Sequence, residues 1–239
     1  MINKIGKEII LNGGSILKYE ESLPHEIEAE IQRMPVAYLP WGAHEWHGAH
    51  NPVGVDGIKA EFLAQELCKE TGGIVFPTVY CGHYPTSGYE FPCSLDFSRH
   101  TVEWLARDYL RELAKMGFEV IVLLMGHWPG PHIEIIRGVA DDFNNQNLGT
   151  VAWVVQDNEM TENFGFLEDH GGIGETSYMM LALPGRVDLS RLPQDHPLTF
   201  ETDGIAGPDP HDASAERGRQ AADIYVREAA KRIRETLEN

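Results

Sequence analysis

The sequence predicts one α/β domain, with a mostly parallel central sheet and helices layered on both faces. Three observations predict it. Short apolar runs alternate along the chain with longer segments at helical spacing. The run Glu119–Met125 is continuously apolar after its first residue, as suits a parallel strand buried on both faces. The 239 residues, 42% hydrophobic, match a single large α/β domain covering 1–239, with no internal repeat, low-complexity segment or linker.

Taken in order, the first 34 residues are mixed, and His25–Met34 reads as an acidic helix over a sheet edge. Val36–Trp41 is a buried strand that breaks at Gly42. Beyond it stand Glu45, His47 and Asp56. Residues two apart in an extended segment point to the same side, so Glu45 and His47 face one way. Gly48, Pro52 and Gly54 bend the chain so that Asp56 can return toward them. One imidazole and two carboxylates at a strand end make half of a divalent-metal site, although histidines 44, 47 and 50 would also suit a polar surface loop. Asp56 is read as the N-cap of a helix to about Lys69, ended by Gly72 and Gly73 ahead of a short strand at Ile74–Phe76.

Residues 80–97 form a long loop rich in Gly, Pro and aromatics, of the kind that carries function. Ser98 caps a helix whose face of Val102, Leu105, Tyr109 and Leu113 is core, and Gly117 closes it. After the strand ending at Met125, His127 sits where open α/β sheets place their ligands. A helix to about Asn145 follows, then a strand at Thr150–Gln156 with Trp153 near its middle. Asp169-His170-Gly171-Gly172 precedes a helix over Tyr178–Leu183, with Glu175 or Thr176 as alternative local caps; its glycines permit close approach of backbone to a ligand. A helix from Asp212 to about Leu237 ends the series.

Nineteen Lys and Arg against 37 Asp and Glu give a formal charge of −18, which argues against nucleic acid and anionic membrane as partners. No apolar run approaches the ~20 residues needed to span a bilayer, and the first residues lack the apolar core of a signal peptide. Three cysteines without C-x-x-C spacing fit reduced thiols, so a cytoplasmic protein is expected.

The segment Gly42-Ala-His-Glu-Trp-His-Gly-Ala-His-Asn-Pro-Val-Gly-Val-Asp56 resembles the creatininase (creatinine amidohydrolase) family's G-S-x-E-Q-H-G-x-H-L-P-L-x-T-D. Phe91-Pro92-Cys93-Ser94 is similar to the family's F-P-G-T, and Gly126-His127, Asp169 to Gly172 and Glu175-Thr176-Ser177 continue the likeness. So do Gly204 to Pro210 and Ala213 to Gly218, and the whole resemblance spans 36 to 220. It implies a three-layer α/β/α fold, two divalent metal ions and hydrolysis of a carbon–nitrogen amide bond in a small molecule. It also implies a homo-oligomer, hexamers being common in the family. Glu45, His47, Asp56 and His127 fall on metal-ligand positions, with Asp56 bridging. Zinc is the first expectation, while manganese and iron also suit nitrogen and oxygen donors.

Departures from the family stand at Trp46, Asn51 and Gly88, and at Trp128-Pro129, where the family has G-H-G-G-N and creatininases proper carry a ligand glutamate two residues after the histidine. Pro129 offers no donor, and His132 lies one turn into a helix; Glu175, which falls on the glutamate of the family's E-T-S, is the ligand the resemblance implies in their place. The implied mechanism is attack on an amide carbonyl by a hydroxide shared between two metals. His170, beside Asp169, would protonate the leaving nitrogen. Trp128, Trp153, Phe166 and Tyr89 are candidate pocket walls, although any of them would equally suit a core. A deformylase or peptide-trimming hydrolase, and a metal-binding relative without turnover, remain the alternatives.

Overall fold

The computed structural model describes residues 16–166 and 169–238. Helix α1 (Pro24–Arg33) leads into strand β1 (Val36–Gly42), and α2 (Val55–Thr71) follows. Two short strands, β2 (Ile74–Val75) and β3 (Val79–Tyr80), precede α3 (Arg99–Met116). Then come β4 (Val120–Met125), α4 (Gly130–Asn144), β5 (Val151–Gln156) and α5 (Ile173–Ala182). The one-turn helix α6 (Phe200–Asp203) and the long α7 (Ala215–Glu238) complete the order.

The five strands are all parallel, in the order β2-β1-β4-β5, with β3 also pairing to β1 beyond β2. Alternation along each strand divides the core in two. Val36, Tyr38, Val120, Val122, Leu124, Trp153 and Val155 face α2, α5 and α7. Ala37, Leu39, Trp41, Ile121, Leu123 and Ala152 face α3 and α4. Every residue of β1 and β4 is buried, because both strands are central and covered on both faces. The three-layer α/β/α architecture is the one the sequence predicts.

Local signals decide the boundaries. Ser98 caps α3 by accepting the Thr101 amide, and Gly117, at φ 98°, ends that helix in the left-handed region. Several boundaries shift by one to three residues, α7 starting at Ala215 rather than Asp212, and two differences bear on the site. Asp56 is not a cap: α2 begins at Val55, and the carboxylate is turned away into the interior. Helix α5 starts at Ile173, five residues before the expected start at Tyr178. There the Asp169 carboxylate accepts the amides of Gly174 and of Glu175 (3.1 Å), satisfying the first turn from outside the helix.

The carboxyl ends of β1 and β4 press on the first turn of α2. A Cβ at Gly126 would lie 2.0 Å from the Asp56 carbonyl oxygen, and one at Gly42 would lie 2.2 Å from the Gly57 nitrogen. Only hydrogen fits at either position. Gly126→Ala is therefore expected to destabilise the protein by at least ~1–3 kcal/mol, the range for forced overpacking, read as a lower denaturation midpoint in urea. An unchanged midpoint would show that the helix turn can retreat freely.

Candidate metal centre

Five side chains from four segments converge at the carboxyl ends of β1 and β4. Glu45 and His47 come from the loop after β1, which is closed by the Glu45 amide donating to the Val53 carbonyl at 2.9 Å. Asp56 comes from the first turn of α2, His127 from the end of β4, and Glu175 from the first turn of α5. All five are buried, none more than 5% exposed.

They form two triads. Donor atoms of Glu45, Asp56 and His127 lie within 4.8 Å of one another, and so do those of His47, Asp56 and Glu175. In the first, His127 Nδ1 is 2.7 Å from Glu45 Oε2 and 3.1 Å from Asp56 Oδ2. In the second, His47 Nε2 is 3.0 Å from Asp56 Oδ1 and 3.3 Å from Glu175 Oε2. Asp56 thus turns one oxygen toward each triad.

The ring nitrogens outside the triads fix which nitrogen faces inward. His127 Nε2–H donates to the His83 carbonyl at 3.0 Å, and His47 Nδ1–H donates to the Glu45 carbonyl at 3.1 Å. Each bond turns the opposite nitrogen toward the carboxylate oxygens, the orientation that metal-ligating histidines adopt. His47 Nε2 makes no hydrogen bond although two carboxylate oxygens stand so near. A buried nitrogen with acceptors around it and no hydrogen bond suits a cation among them. The donor set of imidazole and carboxylate suits a divalent ion.

Without a cation the carboxylates of the site hold a second proton on each imidazole. Burial disfavours protonation of His47, but the Glu175, Asp56 and Glu45 carboxylates outweigh it and raise its pKa to about 10. His127 rises to about 10 for the same reason, with Glu45 and Asp56 as partners. Asp169, raised to about 7 by burial and the charge of Glu175, lies at the cavity edge.

The loop after β3 supports the triads through its backbone. Besides the His83 carbonyl, the Thr86 amide donates to Glu45 Oε1. That service holds Tyr84, Thr86 and Ser87 at φ of 61°, 50° and 50°, a left-handed run costly for non-glycine residues and most so for β-branched Thr86. On the other side, Gly171 sits so close that a Cβ would meet the His47 carbonyl oxygen at 2.8 Å.

Above the triads lies a cavity of about 550 Å³, walled by Trp128, Ser87, Phe200 and His170, within the usual size of a small-molecule site. His170 stacks on the His47 ring at 4.0 Å, and its Nε2–H donates to the Trp46 carbonyl at 2.9 Å. Burial and the neighbouring His47 lower its pKa, favouring the neutral ring. Asp169 hydrogen-bonds the start of α5 rather than the His170 ring, so adjacency in sequence does not make the two a pair.

The candidate wall residues divide. Trp128 lines the cavity, with its Nε1–H on Asp157 Oδ1 at 3.1 Å. Tyr89 is 45% exposed and packs edge-on against Phe200, behind the wall rather than in it. Phe166 lines a small crevice beneath Trp128, not the main cavity. Trp153 is a correction: strand alternation turns its side chain into the core beneath α7, where Arg232 lies 4.6 Å from the ring. His132 backs the His127 ring at 4.8 Å and accepts the His83 amide, outside both triads.

Sequence reading missed Lys59, which is fully buried between Glu175 Oε1 at 2.6 Å and Asp157 Oδ2 at 3.1 Å. Its one signal was position: it lies three residues after Asp56 and four before core Leu63, on the inward stripe of α2.

A family model described as creatininase, creatinine amidohydrolase, matches residues 20–233. A creatinine amidohydrolase of Pseudomonas putida is 28% identical over 232 residues, covering 84% of this chain and 89% of that protein. Among solved structures, a mutant creatininase superposes with a TM-score of 0.80 at 24% identity, over 92% of this chain and 98% of that one. A manganese creatininase and a mutant creatininase complexed with creatine each give 0.77 at 25% identity, with the same coverage.

Metal loading should expel protons. At pH 7 to 8 the metal-free imidazoles of His47 and His127, with pKa near 10, hold a second proton that a bound cation must displace. Apparent affinity should therefore rise with pH across this range. Calorimetric titration of metal-free protein in buffers of different ionisation enthalpy should report close to two protons released on full loading. No release would mean that the imidazoles are neutral before metal arrives.

Proposed function

Because the chain belongs to the creatininase family, and on the geometry of its metal centre, we propose that it is a hydrolase using two divalent ions to cleave the amide bond of a small molecule. The coarser statement, a metal-dependent amidohydrolase acting on carbon–nitrogen bonds, follows from the family itself. One observation carries the finer one: the two oxygens of Asp56 are turned to separate triads.

In this reading Glu45 and His127 hold one ion, His47 and Glu175 the other, and Asp56 lies between them. Such ions supply Lewis acidity, lowering the pKa of bound water to about 7 and polarising a carbonyl. The chain's residues do the rest. Trp128, tethered by Asp157, and Phe200 orient the substrate and exclude water from a cavity sized for a small molecule. With Nε2–H committed to the Trp46 carbonyl, neutral His170 would take at Nδ1 the proton that the attacking water gives up and pass it to the nitrogen as the C–N bond breaks. Asp169 serves by fixing the start of α5, and so the position of Glu175.

The creatine complex of a neighbouring structure supports a small, polar molecule as the substrate class. Neighbours described as manganese and zinc–zinc forms support zinc or manganese as the metal. Trp128 and Pro129, where the family has glycines, reshape the wall, so the bond is assigned here and creatinine itself is not. A single hydrolase domain over 1–239, working in the cytoplasm as a homo-oligomer, completes the proposal. Unpaired Cys68, Cys81 and Cys93 fit it, and among the described residues no helix is long and apolar enough to cross a membrane.

Elemental analysis of protein purified without chelator tests the metal reading. Wild type should carry close to two divalent ions per chain, Asp56→Ala almost none and Glu175→Gln about one. Full metal in Asp56→Ala would end the shared-carboxylate reading.

Activity should be sought on cyclic amides, formamides and short peptides. Against whichever is cleaved, His170→Ala should lower turnover by ~10²–10⁴ with metal content intact, as for loss of a general acid–base group. Normal turnover in that variant would remove His170 from the mechanism. Hydrolysis of none of the three classes by metal-loaded wild type would instead favour a relative without turnover.

A further inference from the structure

Among the described residues, Lys59 is the only lysine or arginine that is buried. An ammonium taken out of water is expensive, and it persists only when paired. Here it is paired twice, with Glu175 Oε1 at 2.6 Å and Asp157 Oδ2 at 3.1 Å. The oxygens of Glu175 are thereby divided. Oε1 belongs to Lys59, while Oε2 faces His47 at 3.3 Å and accepts the Gly171 amide at 2.8 Å.

The two triads differ in this respect. Among the described residues no lysine or arginine pairs with Glu45 or Asp56, and the outer oxygen of Glu45 takes only the neutral Thr86 amide. A carboxylate already engaged by an ammonium is a weaker donor to a cation. A unit positive charge within a few ångströms also repels a divalent ion directly.

We propose that Lys59 is a positioning residue that withholds one Glu175 oxygen from the metal centre, and that its charge makes the ion beside His47 and Glu175 the more weakly held of two. This rests on the two-ion reading above. Lys59 also ties that position to the cavity wall, because the second oxygen of its partner Asp157 holds Trp128. A lysine that merely supported the fold would act in the opposite sense, since its loss would loosen Glu175 and weaken binding.

The sign of the effect is the test. Metal-free full-length protein is titrated with zinc against a chromophoric chelator. Wild type should bind two ions of unequal affinity. Lys59→Met should tighten the weaker by at least ~10-fold and leave the stronger unchanged, since it removes a nearby positive charge. Asp157→Asn removes a negative charge and leaves Lys59 to Glu175 alone, so it should weaken the weaker ion by a similar factor.

Two ions bound with the weaker unchanged or weakened in Lys59→Met would overturn the role given to Lys59 while leaving the two-ion reading standing. A single ion bound by wild type and both variants would overturn both. Should Lys59→Met fail to fold by circular dichroism, Asp157→Asn decides. Selective weakening of the second ion supports the proposal, and unchanged or tighter binding rejects it.

Discussion

The structure depends on where the Asp56 carboxylate is held. Two triads have one member in common, so a displacement of that side chain disturbs both. Its position is fixed by bare backbone contact, since Gly42 and Gly126 let the ends of two central strands close against the first turn of α2. The strands in turn are fixed by burial on both faces. Their alternation sends one set of side chains to α2, α5 and α7 and the other to α3 and α4. The site thus inherits its rigidity from a parallel sheet, at the end where such sheets gather ligands.

Around that carboxylate the protein manages a dense negative charge by three means. Backbone amides of Thr86 and Gly171 take oxygens of Glu45 and Glu175. Carbonyls of His83 and Glu45 hold the outer nitrogens of two imidazoles, so that the inner nitrogens, protonated until a cation displaces the proton, face the carboxylates. Lys59 offers the one fixed positive charge. The left-handed run at Tyr84, Thr86 and Ser87 belongs to the same arrangement, because it aims the loop's backbone groups at the ligands.

Much of this was legible in the sequence where the signal is local. The apolar run at the centre of the chain, the cap at Ser98 and the stop at Gly117 each follow from a few neighbouring residues. Glu45, His47 and His127 were legible because each closely follows a strand end, Asp56 because Gly48, Pro52 and Gly54 bend the chain back, and the family resemblance joined the four. Glu175 was legible from its match to the family's E-T-S and from the glycines before it, once Pro129 left the usual position without a donor. Other features have no local signal. Asp169 precedes His170 yet serves the helix after it, because a side chain's partner is set by where the chain turns. Trp153 has the composition of a wall residue, and only the phase of strand alternation assigns it to the core. Lys59 looks like an ordinary helix charge until α2 is packed against α5 and β5.

The donor atoms of the two triads come from positions 45, 47, 56, 127 and 175, so the second triad joins residues more than a hundred positions apart. Gathering such a set in an unfolded chain costs loop-closure entropy that a site with ligands a few residues apart largely escapes. The sheet and its apolar core set the donors in place through contacts that involve no ion. Metal then acts by mass action on a finished fold, raising resistance to unfolding in proportion to the logarithm of its free concentration. The pocket's donors are thus held by the fold itself, with protons on the two imidazoles where an ion would sit.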